Sequence, residues 1–498
     1  MPHAKGNTTH ILITVFVTGA SVLMLEILGT RIIGPHYGVS LYVWSALISV
    51  TLGFLAIGYH SGGKLADKKP SFTSLNWILF TAGITVLVLY FISLPVIKLC
   101  QTMGLRLGSL VSSIILFGPS ITLLGMVIPL SVKLTTSEID TLGSSAGRIY
   151  AVSTLGSVAG TLAVGFLLVP NLSLRQIFFL VALLLFLVSG AGHLLQKHFA
   201  ASFLNVLLIA MCLLGFFTKE NVTETSTPGL IHHTQSTYGT LEVLESANER
   251  LLVIDGVVHT AIPKAEDIVS KKGYALTQKY YLELLPYYNP HGTNALLIGL
   301  GGGLIQNILC GYGINVQSVE IDSEVVHIAR KFFGFEGEVW IGDGRYYIQN
   351  AKEKYDFVIL DAYASDTIPF HMLTKEMFKS IRDILEERGI LAINYVGFPQ
   401  KTITKSLYRT LKTIFPHIHV YRSEEGDAIQ FMYFFASRSN LSLDGFFPEI
   451  EQIESISKDR LFYREEQGII ITDSFNPVEF WWIETSSAWR NKTQEVLP

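Results

Sequence analysis

Seven apolar stretches follow one another in the first 217 residues, and they constrain this chain more than any other feature. They cover residues 11–33, 43–59, 77–99, 107–130, 146–169, 177–195 and 203–217. A helix needs about 20 apolar residues to cross the hydrocarbon core of a bilayer, so the last, short stretch fits this length least well. The first is too long for a cleavable signal peptide. We therefore predict a multi-span helical membrane domain of about seven helices, surrounded by membrane lipid.

Charged residues are concentrated in the rest of the chain, which indicates a second, water-exposed domain. Residues 1–217 hold only 15 of the 78 Asp, Glu, Lys and Arg residues of the 498-residue chain. The formal net charge is −4 and no basic run exceeds a lysine pair such as Lys68-Lys69, which argues against a nucleic-acid partner. The three cysteines match no metal-ligand spacing, so we predict no metal site.

The sequence pattern changes twice after the membrane domain. Alternating runs at 238–244 and 251–258, around the turn Asp255-Gly256, predict a small β-hairpin layer. Apolar runs then alternate with helical patterns, which predicts an α/β Rossmann-like domain with a parallel sheet. Its strands are expected at 295–298, 316–319, 357–360 and 391–395, and its helices near 305–309, 324–333 and 375–385. The predicted divisions are 1–217 (membrane domain), 218–237 (linker), 238–290 (β-layer and connecting helix) and 291–498 (Rossmann-like domain).

Glycines or acidic residues follow each of the first three predicted strands. A further pair lies between the second and third strands. They are Gly299, Gly301 and Gly303 after the first strand, Glu320 after the second, Asp343 and Gly344 in the next turn, and Asp361 after the third. Open α/β sheets bind ligands at the carboxyl ends of their strands. Glycines let the backbone approach a ligand, and an acid about 20 residues further on typically binds ribose hydroxyls. Together these residues predict a nucleoside site.

Several motifs resemble those of the spermidine synthase (polyamine aminopropyltransferase) family. The matching segments begin at Leu252 (LVIDG), Tyr281 (YLELL), Val319 (VEID), Gly342 (GDG) and Tyr355 (YDFVILD). The stretch LEILGTR from Leu25 and the tail ITDSFNPVE from Ile471 are similar to a bacterial type in which a multi-span membrane domain precedes the synthase domain. The resemblance implies a methyltransferase-like nucleoside-binding fold. It is also compatible with a homodimer as the oligomeric state.

The resemblance also implies a reaction. In this family, an amine attacks the methylene beside the sulfonium of decarboxylated S-adenosylmethionine and releases methylthioadenosine, with no tightly bound cofactor. The resemblance implies that Asp361 is the base and that Tyr281 assists it. It also implies that Glu320 binds the ribose and Asp343 binds the adenine. The predicted polyamine-binding residues are Tyr238, His259, Glu283 and Asp366.

Some positions depart from the family pattern. The aspartate of the family's glycine loop is replaced by Gly302, a usual glutamine by His259, and the second acid of an Asp-x-x-Asp pair is missing, with Asp366 two residues further on. Each lost acid removes an attraction for a cationic amine. Two alternatives therefore remain open. One is another enzyme that uses S-adenosylmethionine, such as a methyltransferase or a nucleotide-cleaving enzyme. The other is a transport or sensing protein that only binds a nucleoside or polyamine.

The orientation in the membrane is ambiguous. An N-terminus in the cytoplasm places seven basic residues on the inner side against five for the opposite choice, but seven spans would then put the second domain outside. Because S-adenosyl nucleotides are cytoplasmic, we predict a multi-pass protein of the cell membrane with its catalytic domain in the cytoplasm. Glu26 and Arg31 of the first span are expected to face the bundle, as a packed pair or part of a polyamine path.

Overall fold

The computed structural model describes residues 8–37, 41–136, 142–169, 171–218, 228–264, 279–443, 456, 458–464, 467–494 and 497. The chain divides into two compact units, Met1–Asn221 and Val222–Pro498. Each unit has its own hydrophobic core. They are therefore described separately.

The N-terminal unit is helical. Among the described residues, seven helices are long and apolar enough to cross a membrane. They are α1 (Thr8–Tyr37), α2 (Leu41–Lys68), α3 (Phe72–Gln101), α4 (Gly104–Thr135), α5 (Leu142–Leu162), α6 (Leu174–Leu195) and α7 (Phe199–Phe217). A π-helical turn, Ala163–Leu168, continues α5. Each predicted apolar stretch thus corresponds to one helix.

Small residues allow α1 and α5 to lie against each other. A Cβ atom at Gly19 would overlap the carbonyl oxygen of Ser153, and one at Gly156 would overlap that of Phe16. The hydroxyl of Ser157 donates to the carbonyl of Gly19 at 3.0 Å. Helices in lipid gain stability from such close backbone approach, because burial of apolar side chains away from lipid provides no driving force.

The C-terminal unit begins with a four-stranded antiparallel sheet in the order β1-β2-β3-β4, as far as the described residues show. Its strands are β1 (Leu230–Gln235), β2 (Thr240–Glu245), β3 (Glu249–Ile254) and β4 (Val257–Pro263). The predicted β-layer is present, but the run 251–258 contains parts of two strands, joined by the turn at Asp255 (φ +48°). The predicted linker 218–237 is wrong in part, because β1 lies in it and pairs with β2.

Strands and helices then alternate. The strands are β5 (Asn294–Ile298), β6 (Asn315–Glu320), β7 (Val339–Ile341), β8 (Tyr355–Leu360), β9 (Leu385–Gly397), β10 (His417–Arg422), β11 (Gln430–Ser437) and β12 (Arg460–Leu461). The α-helices are α8 (Leu285–Tyr288), α9 (Leu304–Gly311), α10 (Ser323–Phe332), α11 (Gly344–Asn350), α12 (Lys375–Ile384), α13 (Thr402–Lys412) and α14 (Val478–Gln494). Two 3₁₀ turns, Tyr281–Leu284 and Phe370–Met372, complete the described elements.

These strands form one mixed sheet, which in the described part of the unit has eight strands in the order β12-β10-β11-β9-β8-β5-β6-β7. Strands β5 to β9 are parallel, whereas β10, β11 and β12 pair antiparallel at one side. The four predicted central strands are present at their predicted places. The prediction of a parallel sheet is confirmed for β5 to β9, and the antiparallel strands β10, β11 and β12 were not predicted.

The central strands are buried on both faces. Successive residues of β5 alternate between two hydrophobic clusters, Leu296 and Ile298 in one and Ala295 and Leu297 in the other. Chain order reverses at β5, whose neighbours are β6 and β8, and ligands of open α/β sheets bind at such a switch point. The fold therefore places a cleft beside the ends of β5, β6 and β8.

Candidate active site

A glycine loop connects β5 to α9 at this cleft. Gly299, Gly301 and Gly303 have φ values of +91°, +54° and +82°, in the left-handed region that favours glycine. A Cβ atom at Gly299 would overlap the carbonyl oxygen of Asp361, so a side chain there would push the ends of β5 and β8 apart. Gly299 and Gly301 line the cleft, whereas Gly303 caps α9 and is absent from its lining.

Glu320 holds this loop in place from the end of β6. Its carboxylate accepts hydrogen bonds from the backbone N–H of Leu300 at 2.9 Å and of Asp322 at 3.0 Å. Burial raises the pKa of Glu320, and these bonds act in the opposite direction. A further backbone hydrogen bond, from Ile321, acts in the same direction, and the ribose-binding role of Glu320 stays a prediction.

Asp343 stands at the start of α11 and lines the same cleft. One oxygen caps the helix by accepting from the N–H of Tyr346 at 2.7 Å, and the other lies 3.8 Å from His371 Nε2. Gly344 follows, where a Cβ atom would overlap Ile298. The adenine-binding role of Asp343 stays a prediction, with one carboxylate oxygen still available for it.

Asp361 ends β8 and lies between two cavities. The first, of about 210 Å³, contains the loop glycines, Glu320 and Asp343. The second, of about 410 Å³, lies beside α9 and β4. Asp361 and Asn394 line both, and the amide of Asn394 donates to Asp361 at 2.7 Å. Burial raises the pKa of Asp361 to about 7, with a contribution from the charge of Glu320.

His259 also lines both cavities, where it is half-buried. Burial lowers its pKa to about 4, so the ring is neutral at physiological pH. The ring is hydrogen-bonded to the backbone of Ser365, and its Nε2 has no partner among the described residues. His259 thus offers an acceptor atom at the junction of the cavities, and its substrate-binding role stays a prediction.

The structure does not bring Tyr281, the predicted helper of Asp361, to the lining of either cavity. Tyr281 is buried, and its hydroxyl donates to Asp459 at 2.5 Å, away from both cavities. Its neighbour Tyr280 lines the second cavity instead. The Tyr-Tyr pair was visible in the sequence. However, the sequence pattern predicted an amphipathic helix here, whereas the structure has a 3₁₀ turn. Which of the two tyrosines faces the cavity could therefore not be predicted.

Two predicted polyamine ligands have structural roles. Glu283 is buried, lines neither cavity and accepts from the hydroxyl of Tyr312 at 2.7 Å. Asp366 is fully buried, pairs with Arg490 at 2.5 Å and also accepts from the hydroxyl of Ser486. Glu283 and one oxygen of Asp366 are therefore engaged by this chain, whereas Asp366 Oδ1 is buried and has no partner among the described residues. Tyr238, the third predicted polyamine ligand, lines the first cavity and not the second.

Sequence reasoning missed several aromatic residues of the site. Phe431 and Trp489 line both cavities, and Tyr433 lines the second. Trp489 belongs to the C-terminal helix α14, and its ring lies 6.1 Å from that of His259. No local motif marks these positions. They come close to Asp361 only in the fold, because β11 and α14, which are distant from it in sequence, pack beside it.

The C-terminal unit has an α/β fold of the spermidine synthase or methyltransferase type, with a mixed sheet. Residues 242–444 match the family model of the spermine/spermidine synthase domain. This segment is therefore a spermine/spermidine synthase domain, and curated relatives of the chain are polyamine aminopropyltransferases, which are transferases.

Individual relatives agree with this assignment. A polyamine aminopropyltransferase of Vibrio vulnificus is 28% identical over 276 residues, which cover 50% of this chain and 90% of the relative. Polyamine aminopropyltransferase 2 of Aquifex aeolicus is 23% identical and covers 81% of this chain and 83% of its own. The crystal structure of spermidine synthase from Thermotoga maritima shares 24% identity over 48% of this chain and 82% of that chain, with a TM-score of 0.35.

Proposed function

We propose that this protein transfers an aminopropyl group from decarboxylated S-adenosylmethionine to an amine and releases methylthioadenosine. The observation that carries the proposal is the position of Asp361 at the junction of two cavities. One cavity has acceptors suited to a nucleoside, and the other is open to a second reactant. The nucleotide would be a co-substrate consumed in each turnover. The relatives' names supply polyamines as the first acceptors to test, and we propose putrescine as the first of them.

The geometry supports a direct displacement. The acceptor nitrogen would enter through the second cavity and attack the methylene carbon bound to the sulfonium. As the N–C bond forms, the C–S bond breaks, and its electron pair leaves the sulfur as a neutral thioether. The proton lost by the nitrogen would pass to Asp361. Holding both reactants in line removes much of the entropic cost of a bimolecular reaction.

The charge state of Asp361 suits this step. A base is most effective when its pKa lies near the working pH, and burial brings the pKa of Asp361 to about 7. Asn394 donates to one oxygen of the carboxylate, which fixes its orientation and leaves the other oxygen for the substrate. Glu320 would hold the ribose, and Asp343 the adenine, in the first cavity.

Replacement of the base tests the proposal. We expect Asp361→Asn to retain methylthioadenosine binding and to reduce kcat by about 10²–10⁴-fold, because an amide cannot accept the proton. The control is Asp356→Asn at the opposite end of β8, where the carboxylate accepts from the backbone N–H groups of Thr293 and Asn294 in the described contacts. Wild-type turnover by Asp361→Asn would contradict the proposal.

We further propose that α1 to α7 cross the cell membrane and that the catalytic unit faces the cytoplasm. Support comes from the length and apolarity of the seven helices and from the cytoplasmic supply of the nucleotide. The Aquifex aeolicus relative, which matches 81% of this chain, indicates that the helical region is part of a shared arrangement.

A further inference from the structure

One wall of the first cavity belongs to the segment between β8 and α12, which includes Pro369, His371 and Met372. His371 is half-buried, and its Nε2 lies 3.8 Å from Asp343, the predicted adenine ligand. Phe370–Met372 form a 3₁₀ turn of only three residues. Such a short turn contributes little to its own stability, so the position of this wall depends on the groups that hold the turn from outside.

Arg345, in the first turn of α11, holds this turn through a backbone carbonyl. Its guanidinium donates to the carbonyl oxygen of His371 at 2.8 Å. The same guanidinium forms a bidentate ion pair with Asp473, in which the hydrogen bond to Oδ1 measures 2.9 Å. The hydrogen bond from Arg345 lowers the pKa of Asp473, so this carboxylate is charged at neutral pH. A guanidinium bonded through its planar fork has little freedom to move, so it fixes the carbonyl of His371.

The tail segment 471–476, the first part of the ITDSFNPVE motif, is itself bonded to α12. The carbonyl of Ile471 accepts from the N–H of Lys375 at 2.8 Å. The N–H of Asp473 donates to the carboxylate of Glu376 at 3.0 Å. Because both bonds involve the first turn of α12, Asp473 has a fixed place relative to this helix.

A second side chain of the tail segment, that of Asn476, reaches the same 3₁₀ turn. Its amide donates to the carbonyl oxygen of Phe370 at 2.8 Å. Two consecutive carbonyl groups of the turn, those of Phe370 and His371, are thus held by side chains from outside it. The tail segment lies outside residues 242–444, which match the family model. Its contacts with the cavity wall therefore go beyond the matched domain.

We propose that Arg345 and Asp473 are positioning residues for the nucleotide, because they hold the turn Phe370–Met372 where it closes the first cavity beside Asp343. The inference rests on the proposed function, which supplies the nucleotide, and it specifies how the nucleotide site is kept in shape. Neither residue of the pair lines a cavity, so both act through the turn. The described lining of the second cavity contains no residue of this turn, so the effect is confined to the nucleotide.

Nucleotide affinity tests this role. With the full-length protein in detergent micelles, we expect Arg345→Ala to raise the Kd of methylthioadenosine by at least about tenfold, as for the loss of a hydrogen bond from a charged group. The matched control is Glu484→Ala, which breaks the exposed ion pair of α14 with Lys401 and should leave the Kd unchanged. Calorimetry measures both values. An equal Kd for Arg345→Ala and the wild type would overturn the inference.

A double-mutant cycle tests whether the two residues act as a unit. The side chain of Asp473 is 41% exposed, so its replacement should leave the protein folded. We expect Asp473→Ala to raise the Kd of methylthioadenosine in the wild-type background and to change it much less when Arg345 is already alanine, because the two residues act through one contact. Equal factors in both backgrounds would show that Asp473 does not act through Arg345, and would reject the pair.

Kinetics separates positioning of the nucleotide from a general loss of structure. We expect Arg345→Ala to raise the KM of decarboxylated S-adenosylmethionine by at least about tenfold, while kcat and the KM of the amine stay within about threefold of the wild type. Arg345→Lys keeps the charge but loses the planar fork, so it should recover part of the affinity. A fall in kcat together with a rise in both KM values would indicate a general structural role and would overturn the inference.

Binding of methylthioadenosine requires no turnover, so this inference and the proposed function can fail separately. Weaker binding by Arg345→Ala, with no aminopropylated product from the wild type, would retain the positioning role and reject the transfer. Product from the wild type, with an equal Kd for both proteins, would retain the transfer and reject the positioning role. Absence of methylthioadenosine binding by the wild type would reject the inference, since no nucleotide site would be left to position.

Discussion

Asp361 has to satisfy two opposing demands. Its burial beside Glu320 favours the neutral acid, whereas its role as a base requires the charged form. A pKa of about 7 lets the group exchange a proton near physiological pH. Asn394 contributes the opposing hydrogen bond that limits the rise in pKa.

The pH dependence of activity should show this group. We expect kcat/KM to fall about tenfold per pH unit below about 7, because protonation of Asp361 removes the base. Deprotonation of the attacking amine should add a further rise at higher pH. Initial rates of methylthioadenosine release between pH 5 and 9 measure the profile. A profile that is flat from pH 5 to 8 would show that Asp361 is not the base.

The same carboxylate should reduce stability at neutral pH. Its pKa is higher in the folded state than the model value of 3.8, so the folded protein favours the protonated form. Ionisation therefore costs stability from about pH 4 upward, and the full cost is present above about pH 7. We expect Asp361→Asn to raise the midpoint of thermal unfolding at pH 8, with a smaller difference at pH 5. A lower midpoint at pH 8 would contradict this assignment.

Nucleotide binding should depend on Glu320. We expect Glu320→Ala to weaken methylthioadenosine binding by about 1.5–3 kcal/mol, since charged hydrogen bonds to the ribose and to the N–H of Leu300 are both lost. Calorimetry on the full-length protein measures the change. Glu324→Ala is a suitable control, because this residue lies in the first turn of α10 and lines neither cavity. Equal affinity of both variants would show that the nucleoside binds elsewhere.

At the scale of elements, helix α14 holds the segment after β8 in place through an ion pair and hydrogen bonds. Arg490 of α14 pairs with Asp366 and also donates to the carbonyl of Asp255 in the β-layer. Trp482 of the same helix donates to the carbonyl of Asp366. Together these bonds set the distance between the β-layer and β8, and thus the position of His259 beside Asp361.

Removal of this ion pair should affect folding more than substrate binding. We expect Asp366→Asn to lower the free energy of unfolding by about 3–5 kcal/mol, because Arg490 would be left buried without its counter-charge. Asp383→Asn breaks the exposed pair with Arg382 and should cost less than about 1 kcal/mol. Denaturant unfolding measures both. A rise in the amine KM with unchanged stability would instead return Asp366 to the substrate site.

Sequence patterns predicted the local parts of this site and missed the distant ones. The loop glycines, Glu320 and Asp361 follow strands whose apolar runs mark them, so their meeting at one sheet edge follows from parallel topology. Asn394 and Trp489 reach the site only through long-range pairing of β9 and the return of α14. Glu283 and Asp366 have the expected residue types, but their partners Tyr312 and Arg490 are distant in sequence.

At the scale of the whole molecule, the N-terminal unit consists of long apolar helices and the C-terminal unit is an α/β domain that holds most of the charged residues. The seven apolar helices could be counted from the sequence, because span length is fixed by the thickness of the bilayer. The side of the membrane on which the catalytic unit lies could not be predicted from the sequence, since the two sets of loops differ little in their number of basic residues. We propose the cytoplasmic side because the nucleotide that the proposed reaction requires is supplied in the cytoplasm.

A reporter fused after Pro498 tests this orientation. We expect fluorescence from a fluorophore that folds only in the cytosol, and no activity from a fused alkaline phosphatase. The two fusions serve as controls for each other, because each reporter is active on only one side of the membrane. Phosphatase activity without fluorescence would place the catalytic unit outside and would favour exported ligands.

Product analysis tests the central claim most directly. The full-length protein is incubated with a primary amine and with either decarboxylated S-adenosylmethionine or S-adenosylmethionine, and the nucleoside products are identified by mass spectrometry. The account predicts methylthioadenosine together with an aminopropylated amine from the decarboxylated donor, and loss of both with Asp361→Asn. S-adenosylhomocysteine formed from S-adenosylmethionine, with no methylthioadenosine from the decarboxylated donor, would contradict it and identify a methyltransferase.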